Sequence, residues 1–125
     1  EMKEIMKISK KYKLKLFEDG AQSLGSKYMN KNAGTFGDAS SISFYPAKIL
    51  GCFGDGGIIL TGNKLMAKKM RIMRDHGRDE NGSIRYWGYN SRLDNIQAGI
   101  LNFKLSMVEK TQSNAVKSDV LALCH

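Results

Sequence analysis

The chain has 125 residues, 42% of them hydrophobic and 26% charged, which suits one compact globular domain and argues against a disordered or two-core chain. No run approaches the roughly 18 uninterrupted apolar residues of a membrane-spanning helix, and the opening "EMKEIMKISKKYK" lacks a signal-peptide core, so a cytoplasmic protein without a membrane partner is expected. The net charge of +8 predicts attraction for anions, leaving nucleic acid, acidic membrane and phosphorylated small molecules open on charge alone.

Residues 1–12 carry Met2, Ile5, Met6, Ile8 and Tyr12 near helical spacing, so the chain is expected to open in an amphipathic helix. No capping residue precedes it, and the fold is therefore expected to start upstream of the first residue. "LKLF" alternates like a short strand and runs into Glu18 and Asp19. "GSKYMNKNAGTFGDA" reads as a loop, and "ASSISF" as a second strand that Pro46 stops. "GIILT" is a third strand. "NKLMAKKMRIMRDHG" is the clearest helix, starting at Asn63 and stopping at Gly77, with His76 placed at its C-terminal dipole.

A polar, aromatic loop is predicted over 78–91. A further helix over "RLDNIQAGILNFKL" has Leu93, Ile96, Ile100, Leu101 and Leu105 on one stripe. Gly99 inside it costs about 1 kcal/mol relative to alanine, so close packing against another element is expected there. The last twenty residues lose a clear pattern. Cys52 and Cys124 have no CxxC spacing, and His76 and His125 no paired ligands, so neither a disulfide framework nor a metal site is signalled.

Asp19 and Lys48 each fall just past a predicted strand, where open α/β sheets bind their ligands. A lysine partly desolvated there can present a neutral amine to a carbonyl, and a carboxylate in the same crevice can hold a cationic ring nitrogen, as pyridoxal phosphate enzymes require. The plainer readings are a loop charge at Lys48, a helix cap for "GAQSLG" at Asp19, and backbone-satisfying polar groups at Ser43 and Gln22. "GDGG" is either a phosphate cradle or a tight turn.

Several motifs in one order settle more than any single spacing. "FEDGAQSLGSKY", "GTFGDASSISFYPAKILGCFGDGGIILT", "RIMRDHG" and "GYNSRLDNIQAGIL" together resemble the DegT/StrS-type sugar-nucleotide aminotransferases over about residues 1–105. The resemblance implies an α/β fold: part of the large domain of a fold-type I pyridoxal phosphate enzyme, a mostly parallel sheet flanked by helices. It assigns residues 1–105 to that cofactor-binding domain and 106–125 to a divergent tail.

It also implies roles. Lys48 matches the lysine that joins the cofactor's aldehyde and later moves a proton between substrate and cofactor carbons. Asp19 matches the acid that keeps the pyridine nitrogen protonated. Gln22 matches the amide at the ring and its phenolic oxygen, and Ser43 the hydroxyl on the cofactor phosphate. Asn90 matches an asparagine that reaches the phosphate of the neighbouring subunit, which implies a homodimer. Related sugar dehydratases have histidine at the position of Lys48, so the lysine favours transamination. The implied substrates are a nucleotide-linked keto sugar and an amino donor, glutamate, in amino-sugar or cell-surface polysaccharide biosynthesis.

Gly20, Ile49 and Gly99 depart from the family's usual alanine, asparagine and alanine, without removing a catalytic group. Family members are roughly three times longer, as two-domain enzymes are, so a non-catalytic truncated remnant stands as an alternative. A basic nucleic-acid-binding module is the third reading, resting on Tyr86, Trp87 and Tyr89 beside Arg85 and Arg92.

Overall fold

The computed structural model describes residues 1–111, with side chains as far as Met107. The element order is α1 (Met2–Tyr12), β1 (Phe17–Asp19), β2 (Lys27–Tyr28), β3 (Lys31–Asn32), β4 (Ala39–Ser43), β5 (Gly57–Leu60), α2 (Lys64–Arg74) and α3 (Asn95–Thr111). β4 is the central strand of a three-stranded sheet in the order β1-β4-β5. β1 runs parallel to it, Asp19 facing Ser41, and β5 runs antiparallel, Gly57 facing Ser43.

The α/β class stands, with both strand directions present in this sheet. The return of β5 is visible in the backbone bonds that close the connection. The chain leaves β4 at Phe44, turns through 45–56 and comes back, with Phe44 N–H donating to Gly56 O at 2.8 Å. The connection contains no helix of the kind that usually carries a parallel crossover, and β4 and β5 pair as an antiparallel ladder from Ser40 opposite Leu60 to Ser43 opposite Gly57. The glycine tract thus lies at the end of the turn that joins β4 to β5.

Each element has a local cause. α1 ends where Lys13 turns left-handed at φ 52°, its N–H donating back to Lys10 O. No residue of α1 is buried, and Ile5, Ile8 and Tyr12 stand exposed. β1 starts later than "LKLF" suggested: Leu16 N–H goes to a side chain, Asp38 Oδ2, at 3.0 Å, while its carbonyl accepts the Asp38 N–H. The segment expected as pure loop holds the β2–β3 hairpin, whose turn residues Met29 and Asn30 have φ of 50° and 62°.

α2 begins on the predicted cap, Asn63 Oδ1 accepting the N–H groups of Leu65 and Met66 at 3.0 and 3.1 Å. It stops at Arg74, so His76 lies beyond the helix with φ 56° rather than in its last turn. Its N–H bonds to Tyr89 O at 2.9 Å, joining the helix end to the 86–91 segment.

The core gathers Ile42 and Phe44 from β4, Leu50 and Cys52 from the turn, and Leu101 from α3, with Leu93 and Leu105 packed against it. The α3 stripe therefore holds at Leu101 and Leu105 but not at Ile96, which is 78% exposed, and Leu93 packs on the core from the segment before the helix, which starts at Asn95 rather than at Arg92. The packing expected at Gly99 is likewise missing: a Cβ there would meet nothing within 4 Å among the described residues. α3 continues helical past residue 105 to Thr111. The rest of the predicted tail, with Cys124 and His125, lies outside the described residues.

Asp38 links loop to strand and makes the junction sensitive to acid. The bond from Lys15 Nζ at 2.8 Å, then that from Leu16 N–H, hold its carboxyl below the usual value of 3.8. A depressed folded-state pKa adds stability that is present above the unfolded value and lost as pH falls through the folded one. Stability is therefore expected to drop as pH falls below about 4. Asp38→Asn is expected to flatten that part of the unfolding profile, and an unchanged acid slope would count against the link.

Candidate active site

The sheet sets Asp19 and Ser43 at one end. Asp19 is the last residue of β1 and lies opposite Ser41 of β4. Register partners on neighbouring strands share a face, and alternate residues of one strand share it too. Asp19, Ser41 and Ser43 therefore project to the same side, while Glu18, Ser40 and Ile42 project to the other.

The polar atoms of this group are largely uncommitted. Asp19 Oδ1 accepts the Ala21 N–H at 3.1 Å, closing a local turn, and Oδ2 has no partner among the described residues. No helix follows at 20–25, so Asp19 is not the helix cap it could have been. Ser43 Oγ accepts the Tyr45 N–H at 3.2 Å, and its hydroxyl proton stays free to donate. Gln22 is exposed on the turn closed by Ser23 N–H on Gly20 O.

Lys48 ends the turn that follows β4, its N–H donating to Tyr45 O at 2.9 Å. Its side chain is half-buried and, among the described residues, its ammonium has neither a hydrogen bond nor an ion pair. A surface lysine serving only as a loop charge would be expected to reach farther into solvent. Asp19 and Ser43 thus lie at the same end of adjacent parallel strands, and Gln22 and Lys48 follow them in the connections that leave that end.

Asn90 stands apart from them. It bridges to Asp75 after α2, and Tyr89 N–H and Ser91 N–H hold the segment to Met73 O and Arg74 O. Asn90 lines a cleft of about 610 Å³ with Ser41, Ile58, Arg71, Arg74 and Arg92, whose walls do not include Lys48, Asp19, Gln22 or Ser43. The residues that line this cleft and the four at the strand ends are therefore different sets. The nearby basic residues are partly neutralised, Arg85 by Asp79 at 2.6 Å and Arg92 by Asp75 at 3.5 Å.

Sequence reasoning passed over Glu18, the neighbour of Asp19. Its carboxylate accepts three backbone N–H groups, from Gly34, Phe36 and Gly37, at 2.8, 2.6 and 2.7 Å. The available signal was a glycine-bearing loop, "GTFG", with donors to satisfy and an acid on the strand beside it.

The signature of the DegT/DnrJ/EryC1/StrS aminotransferase family matches residues 1–122. The chain belongs to this family. Family members are pyridoxal phosphate-dependent aminotransferases. Over 110 residues the chain is 42% identical to a pleiotropic regulatory protein of Geobacillus stearothermophilus, covering 88% of this chain and 30% of that one. It is 36% identical over 109 residues to the dTDP-3-amino-3,4,6-trideoxy-alpha-D-glucose transaminase of Streptomyces venezuelae, covering 87% and 29%.

A crystal structure of a DegT DnrJ EryC1 StrS aminotransferase from Brucella abortus superimposes with a TM-score of 0.83 at 41% identity, over 88% of this chain and 30% of the other. The chain thus spans about 30% of the length of the relatives it matches. The fold expectation drawn from the motifs agrees with these likenesses.

Proposed function

We propose that the chain forms the central part of the cofactor-binding domain of an aminotransferase that transfers an amino group from glutamate to a nucleotide-linked keto sugar. The reading is supported above all by one observation. Among the described residues, a carboxylate oxygen of Asp19 and the hydroxyl proton of Ser43 lack partners at the same end of two adjacent parallel strands, and the half-buried amine of Lys48, likewise without a partner there, follows in the turn after β4. That donor set suits a cationic ring nitrogen, a phosphate and an aldehyde, the three groups pyridoxal phosphate presents.

When bound, the cofactor supplies an electron sink beside the reacting carbon. The chain's residues supply the rest. Asp19 Oδ2 holds a proton at the ring nitrogen, so that the ring stays cationic. Ser43 Oγ donates to the phosphate, and Gln22 orients the ring by its amide. The Lys48 amine would hold the cofactor through its aldehyde carbon, with loss of water, and its Nζ would carry the proton moved during amino transfer. Asn90 reaches the phosphate held by a second copy, which makes a homodimer part of the proposal and explains why Asn90 stands away from the other four. The excess positive charge favours a doubly anionic nucleotide diphosphate. The setting proposed is cytoplasmic amino-sugar synthesis for cell-surface polysaccharide.

The test incubates the intact polypeptide carrying this chain with pyridoxal phosphate, glutamate and a panel of nucleotide-linked keto sugars. One 2-oxoglutarate per amino sugar formed is expected with at least one sugar. Absence of 2-oxoglutarate across the panel, from protein that holds the cofactor, would reject the substrate assignment.

A further inference from the structure

We propose that Glu18 is the positioning residue of this site, aiming Asp19 from the opposite face of β1. The inference rests on the assignment of Asp19 to the cofactor ring. β1 is three residues long and, among the described residues, has a strand on one side only. A ladder so short leaves its last residue free to twist unless something else holds the strand.

Glu18 is that hold. Its Oε1 accepts the N–H groups of Phe36 and Gly37, and its Oε2 accepts that of Gly34, so both oxygens are committed to the loop before β4. Bonds from N–H to an ionised acceptor are among the stronger ones in proteins. The loop is itself anchored. Ser40 Oγ donates to Gly34 O at 2.7 Å, Asp38 N–H donates to Leu16 O at 2.8 Å, and Phe36 stacks edge-on against Tyr28 with ring centres 6.0 Å apart.

Gly34 makes the bracket possible. Its φ of +86° is one that residues with a side chain rarely adopt, and a Cβ there would stand 3.0 Å from Ser40 Oγ. β1 is consequently tied at Leu16 and Glu18 to one rigid loop, and at Gly20 N–H to Ser41 O at 2.8 Å. Side chains alternate across a strand, so gripping Glu18 on one face leaves Asp19 a single direction on the other. Glu18 does not touch the reacting groups; it acts through Asp19.

Glu18→Gln tests this in the intact polypeptide, because it sets an NH2 group against one of the three N–H donors while keeping the side chain's size. Hydrogen exchange at Gly34, Phe36 and Gly37 is expected to speed up about tenfold, with a matching rise at Gly20 and Ala21 in the Asp19 turn. Pyridoxal phosphate is expected to bind about tenfold more weakly. The pH at which its visible absorbance changes should move, since a misaimed Asp19 no longer holds the ring proton.

Faster exchange confined to 34–37, with Gly20, Ala21 and the spectral midpoint unchanged, would mean that Glu18 only holds a loop, and would overturn the proposal. Wild-type protein that binds no pyridoxal phosphate removes the function proposed above, and the exchange at Gly20 and Ala21 then decides on Glu18. Should Glu18→Gln not fold, Gly34→Ala keeps the carboxylate, strains one of its donors and carries the same expectations.

Discussion

Lys48→Ala is expected to abolish covalent attachment of pyridoxal phosphate to the intact protein and to lower the rate of amino transfer by roughly 10³-fold or more. The expectation follows from where the amine sits and from what it lacks. Lys48 is half-buried at the end of the turn after β4, without an acid or carbonyl partner among the described residues. An alanine there removes the group that condenses with an aldehyde and leaves no neighbouring amine in the same segment to replace it, since residues 41–57 hold no second lysine. Borohydride reduction followed by peptide mapping reads the result. Wild-type protein should carry the reduced label on the peptide containing Lys48, and the variant should carry none. A label that persists on another lysine of this chain would move the nucleophile elsewhere. Lys48→Arg sharpens the reading, because it keeps the positive charge yet cannot form the bond. Equal loss in both variants points to the amine's chemistry rather than to its charge.

Phe44→Ala is expected to destabilise the protein by about 3–5 kcal/mol, a large share of the roughly 5–15 kcal/mol that holds a domain together. Phe44 is 4% exposed and packs with Ile42, Leu50, Cys52 and Leu101, so its removal leaves a cavity between the sheet, the turn and α3. The residue also sits where packing and site meet. Its carbonyl accepts the Cys52 N–H and thiol at 2.8 and 2.9 Å, and it lies directly between Ser43 and the turn that carries Lys48. Denaturant unfolding should show the loss as a lower midpoint at constant slope. Trp87→Ala is the contrast, with an expected change within about 0.5 kcal/mol, because its ring is 97% exposed. A loss under 1 kcal/mol at Phe44 would mean that the core does not center on β4.

The parts legible in advance were those governed by neighbours in the chain. The cap at Asn63, the helix that follows it and the small-apolar alternation of "ASSIS" are local patterns, and α2 and β4 lie where those patterns put them. The family was legible for a different reason: the order of several motifs, not the chemistry of any one. Lys48 and Asp19 entered through those motifs, since a lysine or an acid after a strand is common.

Other features needed distant parts of the chain. Ile96 fits the helical stripe of α3 as well as Leu101 does, yet only Leu101 meets the core, because which flank of a stripe is covered depends on what packs beside it. Leu16, the residue before β1, gives its backbone N–H to Asp38, more than twenty residues on. The same holds for Glu18, whose three donors lie 16 to 19 residues away. By itself, then, the sequence determined the family, the main helix and strand, and a candidate lysine and acid, because propensity, capping and motif order are written in consecutive residues. Only the tertiary structure decided the direction of β5, the exposed flank of α3 and the grip on Glu18, because hydrogen bonds and burial between remote segments exist only once the chain has folded.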